Sequence, residues 1–184
     1  MPERPDLQAL CEAILAAAGE PVAAETVRQV AGDDVDLAEV EEALERVRAR
    51  HEQESSGLLV ERVAGGWRLA TRPQHEAAVR AFLGVRARTR LSAAALETLA
   101  IVAYRQPITL PEINYLRGVN CSTVLRTLAE RGLVRAAGRK HVVGTPLLYR
   151  TTREFLVHFG LDSLSALPAP TEGEQPAGVV EGGS

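Results

Sequence analysis

The sequence has 184 residues, which is enough for one ordinary domain or for two small ones. Apolar residues make up 46% and charged residues 24%, the proportions of a globular protein. No apolar run approaches the roughly 18 residues that a membrane span needs, and no secretory signal opens the chain. The two cysteines, Cys11 and Cys121, are too far apart in the sequence to indicate a zinc site or a disulfide framework. We therefore expect a cytoplasmic protein.

The net charge of -3 hides an uneven distribution of acids and bases along the chain. Residues 1–61 have a net charge of -10 and residues 62–90 one of +6. Residues 91–160 have a net charge of +5, and the remainder has one of -4. This asymmetry favours either partners of opposite charge for the two halves or contacts between copies; two plain solvated faces are the alternative.

The first half begins with three predicted helices and a hairpin. Apolar residues recur at helical spacing in its first stretch, namely Leu7, Leu10, Ile14 and Leu15. Gly19 and Pro21 end this helix, and a short second helix follows. Asp36 is a suitable N-cap for a third helix. The apolar face of that helix would consist of Leu37, Val40, Leu44 and Val47. Alternation over residues 59–71, with a turn at Gly65, then predicts two antiparallel strands.

The second half repeats this order of elements. Ser92 is a suitable N-cap for a helix that ends near Pro107, and Pro111 opens a short second helix. Ser122 would cap a third helix. Two extended stretches follow, at residues 133–135 and 147–150.

An offset of 86 positions aligns the two halves without gaps through their first two helices. It places Pro21 on Pro107, Val22 on Ile108, Val30 on Leu116 and Gly32 on Gly118. Agreement at both prolines and both turn glycines indicates an internal repeat. Three helices followed by a hairpin is the order of a winged helix-turn-helix domain. We therefore predict an α+β, mostly helical protein made of two tandem winged helices.

We predict four segments on this basis. An N-terminal winged helix occupies residues 1–72, a helix and basic linker residues 73–90, and a C-terminal winged helix residues 91–164. The linker contains the apolar positions Ala77, Val79, Phe82 and Leu83 and the bases Arg86, Arg88 and Arg90. The tail, residues 165–184, has too few large apolar residues to offset its ordering entropy, so we expect it to be disordered.

The sequence shows little that would support catalysis. Its four histidines are scattered without metal-ligand spacing, and no glycine-rich stretch has the pattern that cradles a phosphate. We therefore expect no enzyme, no cofactor and no bound metal, and we interpret Cys121 as a small structural residue.

Nucleic-acid binding is a second hypothesis, because a winged helix usually lays its third helix in the major groove. The third helix of the first half is rich in glutamate, and that of the second half lacks the cluster of side chains that reads base edges. We therefore expect at most weak, salt-sensitive contact with DNA, through Arg131, Arg135, Arg139 and Lys140. A tandem winged-helix transcription regulator is the alternative function, and a protein-docking module is the third hypothesis.

The second half also resembles a known family. The stretch LSAAALETLAIVAYRQPIT at residues 91–109 is similar to the signature of segregation and condensation protein B (ScpB). Further similar stretches are Leu116-Arg117-Gly118-Val119-Asn120, Glu130-Arg131-Gly132-Leu133, Gly138-Arg139-Lys140 and Gly144-Thr145-Pro146. The similarity is dense over residues 91–167, whereas over residues 1–90 it is one of architecture.

The resemblance implies a non-enzymatic subunit of the bacterial SMC (condensin-like) complex. Members of this family form a homodimer, mainly through the N-terminal winged helix, and bind the central part of the kleisin subunit ScpA. ScpA in turn bridges the heads of the SMC ATPase, and the assembly supports chromosome condensation and segregation during cell division. The resemblance therefore implies a nucleoid-associated protein with no membrane partner and no small-molecule substrate.

The positions that match the family's motif supply the expected kleisin-binding residues, namely Tyr104, Arg105, Gln106, Arg117, Val119 and Arg126. Tyrosine and arginine are frequent interface anchors. A structural role competes with this interpretation, because Gln106-Pro107-Ile108-Thr109 would also end one helix and cap the next. We interpret Leu10, Ile14, Leu44 and Val47 as core residues and Trp67 as a buried residue of the first wing.

Overall fold

A computed structural model describes residues 6–52, 55–84 and 90–169 of the chain. The described residues form two compact units. The first contains residues 6–52 and 55–84 together with Gly160–Ser163, and the second contains residues 90–159 and 164–169. The predicted boundary at residue 164 instead assigned Gly160–Ser163 to the second winged helix. Each described unit begins with three helices followed by a hairpin, and these are the two tandem winged helices that the sequence predicted.

The first unit contains helices α1 (Leu7–Ala17), α2 (Ala24–Ala31) and α3 (Leu37–His51). Asp36 caps α3 as predicted, and Glu39 completes a reciprocal capping box. Strands β1 (Leu58–Val63) and β2 (Gly66–Thr71) form the wing. The two turn residues both have positive φ, 53° at Ala64 and 71° at Gly65, which suits the right-handed twist of a two-residue hairpin.

The core of the first unit lies between its helices and the wing. Its members are Cys11, Leu15, Val27, Val40, Leu44, Val47, Val60 and Trp67. Leu44, Val47 and Trp67 are buried as predicted, whereas Leu10 and Ile14 are half-buried. Burial of these side chains is the main source of the unit's stability, at roughly 1.5–3 kcal/mol for each large apolar residue.

A 3-10 turn at Pro73–His75 and helix α4 (Glu76–Phe82) follow the first wing. The predicted helix in this stretch is therefore present, but none of its residues is buried. Arg86 and Arg88 of the predicted basic linker lie outside the described residues.

The second unit contains helices α5 (Ala93–Arg105), α6 (Leu110–Arg117) and α7 (Ser122–Glu130). Ser92 caps α5, and Thr109 with Glu112 forms a capping box on α6. The prediction that Ser122 is the N-cap of α7 was wrong by one position: Cys121 holds the cap position and makes no side-chain cap bond.

The wing of the second unit belongs to a three-stranded sheet. The strands are β3 (Ile108–Thr109), β4 (Val134–Arg139) and β5 (Leu147–Thr151), in the order β3-β5-β4. Helix α8 (Arg153–Phe159) follows, and Phe155 buries itself in the unit. The sequence predicted β4 as a shorter strand and did not predict β3 or α8.

The internal repeat extends to the way each wing is attached. In the first unit Val22, after Pro21, forms an antiparallel bridge with Trp67 of β2. In the second unit the aligned residue, Ile108, pairs with Tyr149 of β5. Gly32 and Gly118, also aligned, occupy the C-caps of α2 and α6 with positive φ.

Residues Gly160–Ser163 pack against the turn of the first wing. The Ala64 amide donates to the Leu161 carbonyl at 2.8 Å, and the Gly65 amide donates to the Asp162 carbonyl at 2.9 Å. Asp162 also lies 3.4 Å from the Arg62 guanidinium. A segment distant in sequence therefore satisfies the backbone donors of this turn.

Beyond this segment, a second 3-10 turn spans Leu164–Ala166. The expected disordered tail lies mostly outside the described residues, which end at residue 169. None of the described helices combines the length and apolar character needed to cross a membrane.

Candidate partner-binding surfaces

Helix α5 presents a partly apolar face to solvent. Leu96, Ala100 and Tyr104 are exposed at spacings of four residues, and Glu97 lies beside them. Leu96 is 43% exposed and Tyr104 42%. We call these four residues the α5 face.

Arg117 of α6 joins the α5 face through an ion pair with Glu97. Its side chain is only 15% exposed, so much of the guanidinium and its stem lies against neighbouring atoms. Val119 follows the left-handed Gly118 and is exposed. Two of the expected kleisin-binding residues, Arg117 and Val119, therefore lie at the same end of α6.

Arg105 and Gln106 end α5 and differ in what they contact. Arg105 is exposed and has no hydrogen-bond or ion-pair partner among the described residues. The Gln106 side chain donates to the Ala103 carbonyl at 3.0 Å and accepts from the Thr151 amide at 2.9 Å. The Gln106 amide thus ties α5 to β5. Gln106 is also the C-cap of α5 and Thr109 the N-cap of α6, which is the structural role that the sequence offered as the alternative to binding.

Tyr104 contacts the end of the described chain. Its hydroxyl donates to the Pro168 carbonyl at 2.7 Å. The segment after the second 3-10 turn therefore reaches one edge of the α5 face.

Arg126 lies on α7, the helix that would enter a DNA groove. Its side chain is 75% exposed and lies 3.6 Å from Glu130. The other exposed residues of α7 are Ser122, Thr123 and Ala129. This set does not match the Arg, Asn and Gln side chains that read base edges in the major groove.

The four bases expected to contact DNA differ in how far their charge is compensated. Lys140 pairs with Glu112, and this pairing, with a hydrogen bond from Thr109, lowers the pKa of Glu112 from 4.5 to about 2. Arg139 donates to the Thr145 carbonyl at 3.0 Å, which leaves its charge uncompensated. Arg131 and Arg135 are both exposed.

Two of the four glutamates in the third helix of the first unit pair with arginines of the same helix. Glu42 pairs with Arg46 at 2.6 Å, and Glu45 lies 3.5 Å from Arg48. Glu39 is engaged in the capping box. The surface of α3 therefore alternates in charge.

Helix α4 carries an uncovered apolar end. Phe82 is 88% exposed and Leu83 62%. The sequence singled out both residues as apolar positions of the linker helix, and the described part of the chain provides nothing that buries them. Large apolar side chains exposed side by side are typical of contact surfaces.

Both cysteines are buried, and burial raises the pKa of the Cys11 thiol. The Cys121 amide donates to the Asn114 side chain at 2.8 Å, which fits a structural role at the start of α7. Among the described residues, no group of three or more His, Cys, Asp or Glu side chains is arranged to hold a metal ion.

Comparison with known proteins identifies the family. A profile of "Segregation and condensation complex subunit ScpB" matches residues 9–170, which is most of the chain. The chain belongs to the ScpB family.

Relatives with this family's name are similar to the chain in sequence along most of its length. It is 46% identical over 167 residues to segregation and condensation protein B of Syntrophotalea carbinolica, covering 91% of this chain and 83% of the relative. It is 42% identical over 166 residues to the Myxococcus xanthus protein of the same name, covering 90% of this chain but only half of that relative. The crystal structure of ScpB from Mycobacterium tuberculosis is 34% identical and has a TM-score of 0.41, over 88% of this chain and 99% of that one.

Proposed function

We propose that this chain is a non-enzymatic accessory subunit of an SMC–kleisin complex that forms a homodimer and binds the kleisin ScpA. The match of residues 9–170 to a subunit of the segregation and condensation complex carries the proposal. The role would be exercised at the chromosome in the cytoplasm, during condensation and segregation. The SMC ATPase would be reached through ScpA rather than directly.

The α5 face, with Arg117 and Val119, is the ScpA contact in this proposal. It combines half-exposed apolar side chains with a tyrosine hydroxyl and an arginine, which is the composition of an interface anchor site. Ala100 leaves room between Leu96 and Tyr104 for a side chain of a partner helix. The hydrogen bond from Tyr104 to Pro168 would exchange for a contact with ScpA.

The homodimer contact in this proposal is the exposed end of α4. Phe82 and Leu83 lie at the C-terminal end of a short helix, none of whose residues is fully buried. Covering a phenylalanine in an interface removes a large apolar area from water at about 25 cal/mol per Å². A second copy offers the same two side chains, as a two-fold interface requires.

Size-exclusion chromatography with light scattering tests both contacts on the full chain. We expect a mass near twice 19.8 kDa alone and a heavier stable peak with the central fragment of ScpA from the same organism. A chain that stays monomeric and does not bind ScpA would overturn the proposal. Tight binding to one short DNA sequence would then favour the transcription-regulator alternative.

Two substitutions locate the surfaces. Ala100→Arg should weaken ScpA binding at least tenfold by blocking the α5 face, whereas Ala129→Arg places the same charge on an exposed alanine of α7 and should leave ScpA binding intact.

Phe82→Glu should convert the dimer to a monomer, and Gln74→Glu, which adds the same charge nearby, should not. If a test variant and its control have equal effects, the corresponding surface has been assigned wrongly.

A further inference from the structure

Two arginines face each other directly across the second wing. Arg135 of β4 is the register partner of Arg150 of β5, and both side chains are exposed. Directly opposite residues of an antiparallel pair have Cβ atoms about 5 Å apart, and like charges at that distance destabilise the sheet. The pairing of Arg135 with Arg150 depends on the register of the two strands.

No carboxylate of the described residues relieves this repulsion. Three of the four acids between residues 91 and 160 pair elsewhere, namely Glu97 with Arg117, Glu112 with Lys140, and Glu130 with Arg126. From Val134 to Thr151 the sequence contains four bases and no acid. Lys140 is compensated by Glu112, so Arg135, Arg139 and Arg150 supply the net charge of the wing.

The surroundings of the arginine pair suit a phosphate backbone better than a protein segment. Arg135 is followed on β4 by the small residues Ala136 and Ala137, and the large exposed apolar side chains of the described wing, Val142, Val143 and Leu147, lie toward its tip. A peptide partner would need an apolar anchor beside the charges. Phosphates need only cations, and guanidinium groups bind them with paired hydrogen bonds.

We propose that the Arg135–Arg150 pair, with Arg139 beside it, binds the phosphate backbone of double-stranded DNA without sequence preference. A phosphate between the two guanidinium groups would neutralise the repulsion that the folded wing otherwise carries. This contact is separate from the proposed ScpA surface. It would hold DNA against the second unit while ScpA occupies the α5 face.

Fluorescence anisotropy of the full chain with a labelled DNA duplex, over a series of salt concentrations, tests this inference. We expect weak binding at low salt that falls as salt rises. Arg135→Ala/Arg150→Ala should weaken it about tenfold and lower the slope of log affinity against log salt by about 2. The matched control is Arg46→Ala/Arg80→Ala, which removes two exposed arginines that pair with Glu42 and Glu76, and it should change neither quantity by much.

Two further variants sharpen the result. Arg135→Lys/Arg150→Lys keeps both charges and should retain most of the salt slope. Lys140→Ala should lower DNA affinity less than Arg135→Ala does, because Glu112 already compensates the charge of that lysine.

Binding of the ScpA fragment by the same variants separates the outcomes. Wild-type protein that ignores duplex DNA at low salt would overturn the inference, as would a double alanine variant that binds DNA with an unchanged slope. A double variant that loses ScpA instead of DNA would make the pair a protein contact and overturn it equally. Normal DNA binding together with no ScpA binding would contradict only the proposed function.

Discussion

In the first unit two of the four glutamates of α3 pair with arginines about one helical turn away, whereas in the second unit the wing arginines face one another without a counter-charge. Both units nevertheless attach the wing in the same way, through the residue that follows an aligned proline. The repeated framework therefore depends on buried positions and turn residues. The exposed positions are free to diverge in charge, and with it in the partners they suit.

The largest difference in stability that we expect between the two units comes from one aromatic residue in each wing. These aromatic residues pair with the aligned residues Val22 and Ile108. Trp67 is almost fully buried in the first unit, and Tyr149 is half-buried in the second. We expect Trp67→Ala to cost the first unit about 3–5 kcal/mol, and Tyr149→Ala to cost the second about 1–2 kcal/mol. Calorimetric unfolding of both variants measures this, and equal costs would contradict the comparison.

Gly66 tests the attachment of the first wing. A Cβ at this position would lie 2.9 Å from the carbonyl oxygen of Val22 and 3.1 Å from the carbonyl carbon of Pro21. Because backbone atoms cannot yield as a side chain does, Gly66→Ala should cost about 1–3 kcal/mol. Gly19→Ala is the control, since open space surrounds that position. Denaturant midpoints compare the two, and a neutral Gly66→Ala would show that the strand shifts freely.

The ion pair of Arg117 with Glu97 offers a test of how much this contact stabilises the second unit. Arg117→Glu would set two carboxylates against each other and should cost about 1–2 kcal/mol. The swapped variant Glu97→Arg/Arg117→Glu should recover that stability. If Arg117 also contacts ScpA, the swap will restore folding without restoring ScpA affinity. Full recovery of both would assign Arg117 a structural role alone.

The smallest effect concerns acid stability. Pairing with Lys140 lowers the pKa of Glu112 from 4.5 to about 2, so the stabilisation is present above about pH 4.5 and is lost as the pH falls toward 2. Both side chains are well exposed, so after solvent screening we expect about 0.2–1 kcal/mol. Lys140→Ala should reduce the loss of stability across this window, measured by acid titration of the unfolding free energy. If the pH profile of the variant is identical to that of the wild type, the pairing of Lys140 with Glu112 is contradicted.

Local signals account for most of the fold that the sequence predicted. Asp36 and Ser92 cap helices, and Gly32 ends one, through contacts within a few residues, so their roles can be inferred from neighbouring sequence. The two-residue strand β3 was missed because it is held by pairing with β5, about forty positions away. Its sequence alone carries no periodicity.

The sequence predicts the candidate surfaces less well than it predicts the fold. Leu96 and Phe82 occupy apolar helix positions, and only the arrangement of neighbouring elements decides that they stay exposed. The pairing of Arg135 with Arg150 depends on a register shift in the wing between Ala136 and Arg139, which the sequence does not reveal. The six residues assigned to ScpA binding remain a prediction.

The hydrogen bonds from the first wing to Leu161 and Asp162 have a consequence for the order of folding on the ribosome. Gly65 and Asp162 are 97 positions apart in the chain. At a synthesis rate of about 5–20 residues per second, Asp162 is made roughly 5–20 seconds after the turn that it completes. The first winged helix therefore starts to fold early and acquires its last backbone partners only after the second has been translated.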